Sequence, residues 1–245
     1  YNSDKSVEIS TSTTDATIYY TTDGSTTPTT SSTEYTEYVQ VTEGTTTIKA
    51  IAVKDGMNDS GVAEASYTID KTDPAAPTIS GINSGAYNTD QSFTVSGDGG
   101  ATIEYSLDGG STRGNTWVSY SSEVTLSAEA TYDVTAKQTD EAGNTSALSD
   151  IIIVTIDKTV VAPSIDGITA GSYNTNQSFT VSGETGATIK YSTDGGSTWK
   201  SYSSEVTLST EGTYGITAKQ TDDAGNTSTE STVITLTIQK YTVTY

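Results

Sequence analysis

Apolar and polar residues alternate along most of the chain. In Ser92-Phe93-Thr94-Val95-Ser96 the two apolar side chains fall on one face and the hydroxyls on the other. Glu123-Val124-Thr125-Leu126 turns Val124 and Leu126 inward, and Thr131 to Ala136 does the same with Tyr132, Val134 and Ala136. A period of two, with one apolar and one wet face, predicts antiparallel sheets packed face to face. Asp23-Gly24, Asp108-Gly109 and Asp194-Gly195 predict hairpin turns between strands. No stretch sustains a helical period.

The pattern recurs. Residues 81 to 112 and 167 to 198 agree at 24 of 32 positions, and residues 117 to 146 and 199 to 228 at 24 of 30. The offset falls from 86 to 82 across an insertion near Arg113, Gly114 and Asn115. A more distant copy precedes them: Tyr1-Asn2-Ser3-Asp4-Lys5-Ser6 aligns with Tyr87-Asn88-Thr89-Asp90-Gln91-Ser92. That copy lacks the lead that residues 74 to 86 supply to the second, so its opening strand is expected to be missing or to lie upstream. A period of this length predicts tandem independent domains rather than a solenoid. The expected boundaries are 1–70, 71–157 and 158–240, with 241–245 starting a further repeat.

Each later copy places a Tyr two residues before an inward apolar residue, Tyr132 before Val134 and Tyr214 before Ile216. This is the tyrosine-corner spacing of immunoglobulin-like sandwiches. The first copy has Thr46 at that place and must hold its corner differently. The expected fold is therefore all-β, three immunoglobulin/fibronectin-III-like β-sandwiches in an extended array.

Three resemblances follow from particular residues. Residues 7 to 69, through ATIYYTTDGSTTPT, GTTTIKAIAV and AEASYTI, resemble the chitobiase/β-hexosaminidase C-terminal module. Residues 74 to 157 and 160 to 239, through YNTDQSFTVSG, YNTNQSFTVSG, TDEAGNTS and TDDAGNTS, resemble bacterial Ig-like repeats of surface proteins and adhesins. Tyr241-Thr242-Val243-Thr244-Tyr245 resembles the first strand of an internalin-type B repeat. The resemblances imply a secreted or cell-surface bacterial protein; they do not identify an activity.

Composition removes whole classes of chemistry. There is no Cys and no His, so disulfides, thiol nucleophiles, Cys/His zinc sites and a Ser-His-Asp triad are excluded. Eleven basic against 31 acidic residues give a formal charge of −20, which opposes binding to nucleic acid or anionic lipid. The longest apolar run, Ile151 to Val154, is far too short to span a membrane. The 50 Thr and 33 Ser, about a third of the chain, suit pleated strands rather than disorder.

Candidate chemistry sits in three places. Ser192-Thr193-Asp194-Gly195-Gly196-Ser197-Thr198-Trp199 fits the Asp box seen in sialidases, but a single Arg leaves no cluster to hold a substrate carboxylate, and a self-bonded turn is the expected role. Sandwich topology brings Asp98, Asp140 and Asn144 toward Asp70 and Asp73, and Asp222 and Asn226 toward Asp157. Such carboxylate clusters are either solvated acidic poles or interdomain Ca²⁺ sites. Trp117 and Trp199 follow the hairpins and are either packing residues or contacts for a glycan face. The expected role is a non-catalytic spacer that projects a functional domain, as a monomer. The competing reading is a glycan-binding or adhesive accessory module, with a host or cell-wall glycan or a surface protein as partner.

Overall fold

The computed structural model describes residues 1–110 and 117–241, and among them every regular element is a strand. The insertion near Arg113, Gly114 and Asn115 and residues 242 to 245 lie outside the described residues. Three pairs of sheets follow one another along the chain, and each pair encloses its own apolar cluster.

The first sandwich comprises β1 (Lys5–Val7), β2 (Thr17–Thr21), β3 (Thr33–Glu34), β4 (Val39–Val41), β5 (Gly44–Val53) and β6 (Ala63–Ile69). Its sheets run β3-β2-β5-β6 and β1-β4. The second comprises β7 (Thr78–Ser80), β8 (Gly85–Tyr87), β9 (Gln91–Ser96), β10 (Thr102–Ser106), β11 (Val118–Ser119), β12 (Val124–Leu126), β13 (Ala130–Thr139) and β14 (Ile152–Ile156). They form the sheets β11-β10-β13-β14-β8 and β12-β9-β7. The third repeats this arrangement with β15 (Ser164–Asp166), β16 (Gly171–Tyr173), β17 (Gln177–Ser182), β18 (Thr188–Ser192), β19 (Lys200–Ser201), β20 (Val206–Leu208), β21 (Gly212–Thr221) and β22 (Ile234–Ile238). Neighbouring strands pair antiparallel, except that β8 runs parallel to β14 and β16 parallel to β22.

The alternation predicted from sequence is the alternation that packs. Phe93, Val134, Ala136 and Val154 are fully buried, and Phe93 meets Tyr105 edge to face at 5.6 Å between ring centres. Phe179 repeats this contact with Tyr191 at 5.7 Å. The wet faces carry cross-strand hydroxyl pairs such as Ser92–Thr125 and Thr131–Thr155, each at 2.9 Å. Such pairs add small increments to sheet pairing while keeping the surface polar. The tyrosine corner is formed as the spacing predicts: the Tyr132 hydroxyl donates to Ala128 O at 3.0 Å, and Tyr214 to Thr210 O at 2.8 Å.

Two features depart from simple alternation. Thr135 and Thr217, outward by phase, are fully buried because the following loop folds over them; their hydroxyls donate to Ser149 O and Ser231 O. Gln138 and Gln220, in phase with Val134-Ala136 and Ile216-Ala218, are 1% exposed. Burial of a polar side chain requires partners. Gln138 Nε2 donates to Ala75 O and Asp98 Oδ2, and its Oε1 accepts from Asp98 N. Gln220 Nε2 donates to Val161 O, and its Oε1 accepts from Glu184 N. Each Gln thus clamps the incoming lead segment to the loop after β9 or β17. The approach is so close that a Cβ on Gly97 or Gly183 would collide with the amide oxygen, which explains the glycine ending both Phe-Thr-Val-Ser-Gly motifs.

The first sandwich is thinner. Its fully enclosed cluster is Val39, Val41, Ile48 and Ile69, where each later sandwich buries eight apolar residues. Tyr1 stands where Tyr87 stands, with Asp70 N donating to Tyr1 O as Asp157 N donates to Tyr87 O. Among the described residues nothing takes the place of β7 beside β1.

Candidate functional site

The motif Asp-x-Ala-Gly-Asn builds a rigid loop and then uses it to touch the preceding sandwich. Asp140 Oδ1 accepts from the backbone N–H groups of Gly143 and Asn144 at 2.7 and 2.8 Å, and Oδ2 accepts from Asn144 Nδ2 at 2.8 Å. Gly143, at φ 97°, supplies the left-handed turn that closes the loop. These bonds, with the Asn144 side chain contributing most, hold the Asp140 carboxyl below its usual range despite some desolvation. Asp222 has the same partners in Asn226; desolvation raises it, but the bonds from Asn226, Gly225 and Ala224 outweigh this and hold it low.

The oriented Asn crosses the junction. Asn144 Nδ2 donates to Asp70 O at 2.8 Å, and Asn226 Nδ2 donates to Asp157 O at the same distance. From the other side, Asn2 Nδ2 donates to Gly143 O at 3.0 Å, and Asn88 lies correspondingly against Gly225. The linker is fastened to the sandwich it leaves. Lys158 N donates to Glu129 Oε1, and Lys158 Nζ reaches both Ser127 O and Asp90 Oδ1 at 2.6 Å. Lys71 makes the equivalent ties to Glu43 and Asp4, and Lys240 to Glu211 and Ser209.

The residues expected to surround Ca²⁺ are thus brought to the junctions with a different donor set. Asp140 and Asp222 spend their oxygens on their own loops, and Asn144 and Asn226 turn N–H groups, not carbonyl oxygens, toward the neighbouring backbone. Asp70 and Asp157 accept from the N–H groups of Thr72 and Thr159, Asp98 is bonded to Gln138, and Asp73 is exposed. Among the described residues no group of three or more His, Cys, Asp or Glu converges at metal-binding spacing.

The hairpin aspartates also serve their own turns. Asp194 accepts from Ser192 Oγ at 2.7 Å, Thr198 N at 2.8 Å and Thr198 Oγ1 at 2.5 Å. Asp23 accepts from Ser25 N, Thr26 N and Thr26 Oγ1. The side-chain bond from Thr198 or Thr26 leads the causes that lower each carboxyl to about 2. All four resolved shifts are downward, the reverse of what a proton-donating carboxyl requires.

Trp117 and Trp199 are half-buried, each in its own sandwich. Lys137 Nζ lies 4.4 Å from the ring centre of Trp117, and Lys219 Nζ lies 4.0 Å from that of Trp199. One face of each indole is therefore occupied by a cation, which also fixes the lysine stem across the sheet. Lys137 is paired with Glu104 at 3.4 Å. Alternation along the strand does not place these lysines over the rings. The signal was the cross-strand proximity of the hairpin Trp to the long strand that carries the lysine.

No curated protein sequence matches the chain significantly. Among solved structures, the fibronectin(III)-like modules of Clostridium thermocellum CbhA align at 16% identity, covering 67% of this chain and 94% of that one, with a TM-score of 0.33. An I-band fragment, I67–I69, of titin aligns at 11% identity over 94% and 89%, with a TM-score of 0.48. The Bacteroides ovatus mixed-linkage glucan utilization locus protein SGBP-B, solved with a heptasaccharide, aligns at 18% identity over 98% of this chain and 65% of that one, with a TM-score of 0.22. The chain is an all-β tandem of immunoglobulin/fibronectin-III-like sandwiches, and its opening residues, 1–64, match the family model of the chitobiase/beta-hexosaminidase C-terminal domain.

Proposed function

We propose that this chain is a non-catalytic spacer of a secreted or cell-surface bacterial protein, divided into domains at residues 70/71 and 157/158. The observation that carries this reading is the repeated joint. The same Asp-clamped Asn amide meets the same carbonyl of the preceding sandwich at 2.8 Å in both junctions. A joint built twice from the same residues serves a defined spacing and orientation between neighbours. Asp140 and Asp194 are held low by hydrogen bonds from their own turns, which suits a rigid support. The strong negative charge and hydroxyl-rich faces keep near-identical neighbours from pairing edge to edge.

The test is the distribution of distances between spin labels on the second and third sandwiches. The wild-type chain is expected to give one narrow distribution, and Asn226→Ala a broader one with unchanged strand content. Equal widths would refute the joint as the source of rigidity.

A second reading, a glycan-binding accessory module, is favoured by the family match of residues 1–64 and by the partial exposure of Trp117 and Trp199. Binding of the chain to a polysaccharide panel, lost on Trp199→Ala, would replace the spacer reading.

A further inference from the structure

The second and third sandwiches are near copies, yet they differ in charge. Residues 71–157 hold 12 acidic and 3 basic side chains, and residues 158–240 hold 8 and 5, so their formal charges are −9 and −3. Three of the changes fall on the neighbouring strands β18, β19 and β21. Lys190 stands where the second sandwich has Glu104, Lys200 where it has Val118, and Gly215 where it has Asp133. Each makes this sheet more positive. Glu230, in the place of Leu148, runs the other way, and its carboxylate lies beside Gly196 at the hairpin.

Register shows what the first change does. In the second sandwich Glu104 lies opposite Lys137 and pairs with it at 3.4 Å. In the third, Lys190 lies opposite Lys219 in the same register. Like charges directly opposite each other destabilise a sheet, and here the neutralising carboxylate of the sister copy is gone. Among the described residues no carboxylate forms an ion pair with Lys190, Lys200 or Lys219. The Lys219 ammonium is held over Trp199, 4.0 Å from its ring centre, while Lys190 on the neighbouring strand is exposed. Lys200 is exposed on the adjoining edge strand, opposite Tyr191. Hydroxyls flank the two facing lysines: Ser201 lies opposite Lys190, and the pair Thr188–Thr221 follows on the same face.

We propose that this face of the third sandwich binds an acidic polysaccharide, whose carboxylates meet the ammonium groups of Lys190 and Lys219 and whose hydroxyls meet the flanking Ser and Thr side chains. Lysine is a compact charge on a flexible stem and makes such contacts without a fixed geometry. Charge density selects among the anions. A nucleic acid duplex or a membrane presents a broad, dense negative surface that would also face the acidic remainder of the chain. A single glycan chain with separated carboxylates lies along two strands and keeps clear of it, since at physiological salt charges more than about 8 Å away are largely screened. The proposal goes beyond the spacer reading and rests on the glycan-binding alternative, to which it adds a ligand charge and a contact surface.

The test uses the intact chain and a galacturonate hexasaccharide, with the fully methyl-esterified hexasaccharide as the uncharged control. The indole N–H signals of Trp117 and Trp199 are followed by NMR. The acidic oligosaccharide is expected to move the Trp199 signal saturably and to leave Trp117 unmoved, because Lys137 is already paired with Glu104. Lys190→Glu restores the ion pair of the sister copy, so the sandwich keeps its fold, and it is expected to weaken binding by about fivefold or more. The reciprocal Glu104→Lys is expected to make Trp117 respond. An unmoved Trp199 signal, an affinity unchanged by Lys190→Glu, or tighter binding of a single-stranded oligonucleotide of equal charge would overturn the proposal. An equal response to the methyl ester would also overturn it while leaving the glycan-binding reading intact, and silence toward both sugars would count against both.

Discussion

Replacing Gln220 by Leu removes two side-chain hydrogen bonds while keeping most of the buried volume. The Glu184 N–H loses its acceptor at 2.9 Å, and the Val161 carbonyl loses its donor at 2.8 Å. Leaving a buried polar group unpaired costs about 1–3 kcal/mol. Water reaches part of this pole, so the expected total is about 2–3 kcal/mol rather than the sum of two maxima. For a domain of this size, that lowers the melting temperature by about 10–20 °C. The third sandwich should therefore melt well before the second, whose Gln138 is untouched. Calorimetry of the whole chain, with exchange measured separately at β17 and β9, reads the two transitions apart. A shift in the third sandwich below about 2 °C would refute the clamp, since that is smaller than the cost of one unpaired group.

Three further outcomes follow from the same geometry. Gly183→Ala should reproduce part of the Gln220→Leu loss in a denaturant titration, because its methyl group displaces the clamping amide. Asp23 and Asp194 titrate near 2 when folded against the usual 3.8, so their stabilisation is complete above about pH 4 and disappears as the pH falls through 2. Asp194→Asn should flatten the acid dependence of the third sandwich in that window, and an unchanged acid slope would count against the hairpin bonds. Calcium or a chelator at millimolar concentration should leave the interdomain distance distribution unchanged, because the joint is closed by amide N–H groups; a narrowing with calcium would reverse that assignment.

The layers and strands were legible because burial here follows residue type. Phe93, Val95, Val124, Leu126, Val134 and Ala136 announce an inward face by alternation, and the corner Tyr132 and Tyr214 announce themselves by spacing. Gln138 and Gln220 were hidden because a polar residue at inward phase looks like the end of a strand. Only the position of the lead segment reveals that it completes the core. Asn144 and Asn226 meet the backbone of Asp70 and Asp157, but counting carboxylates could not say which oxygens the loops already use. The direction of the Asn amide is a property of the folded turn. The lysines over Trp117 and Trp199 escaped notice because alternation places a side chain on a face without saying what its tip meets.

The parallel pairing of β8 with β14, and of β16 with β22, has a mechanical consequence. Tension reaches each later sandwich through the chain ahead of β8 or β16 and leaves it through the end of β14 or β22. In a parallel pair those pulls slide one strand along the other, so Gly85–Tyr87 and its partners at Val154–Ile156 must yield together rather than one bond at a time. The third sandwich presents Gly171–Tyr173 against Leu236–Ile238 to the same load. Resistance to pulling is then governed by the rate of that concerted rupture and not by equilibrium stability. Two sandwiches with matching shear pairs, loaded in series, would extend in two abrupt steps of similar length.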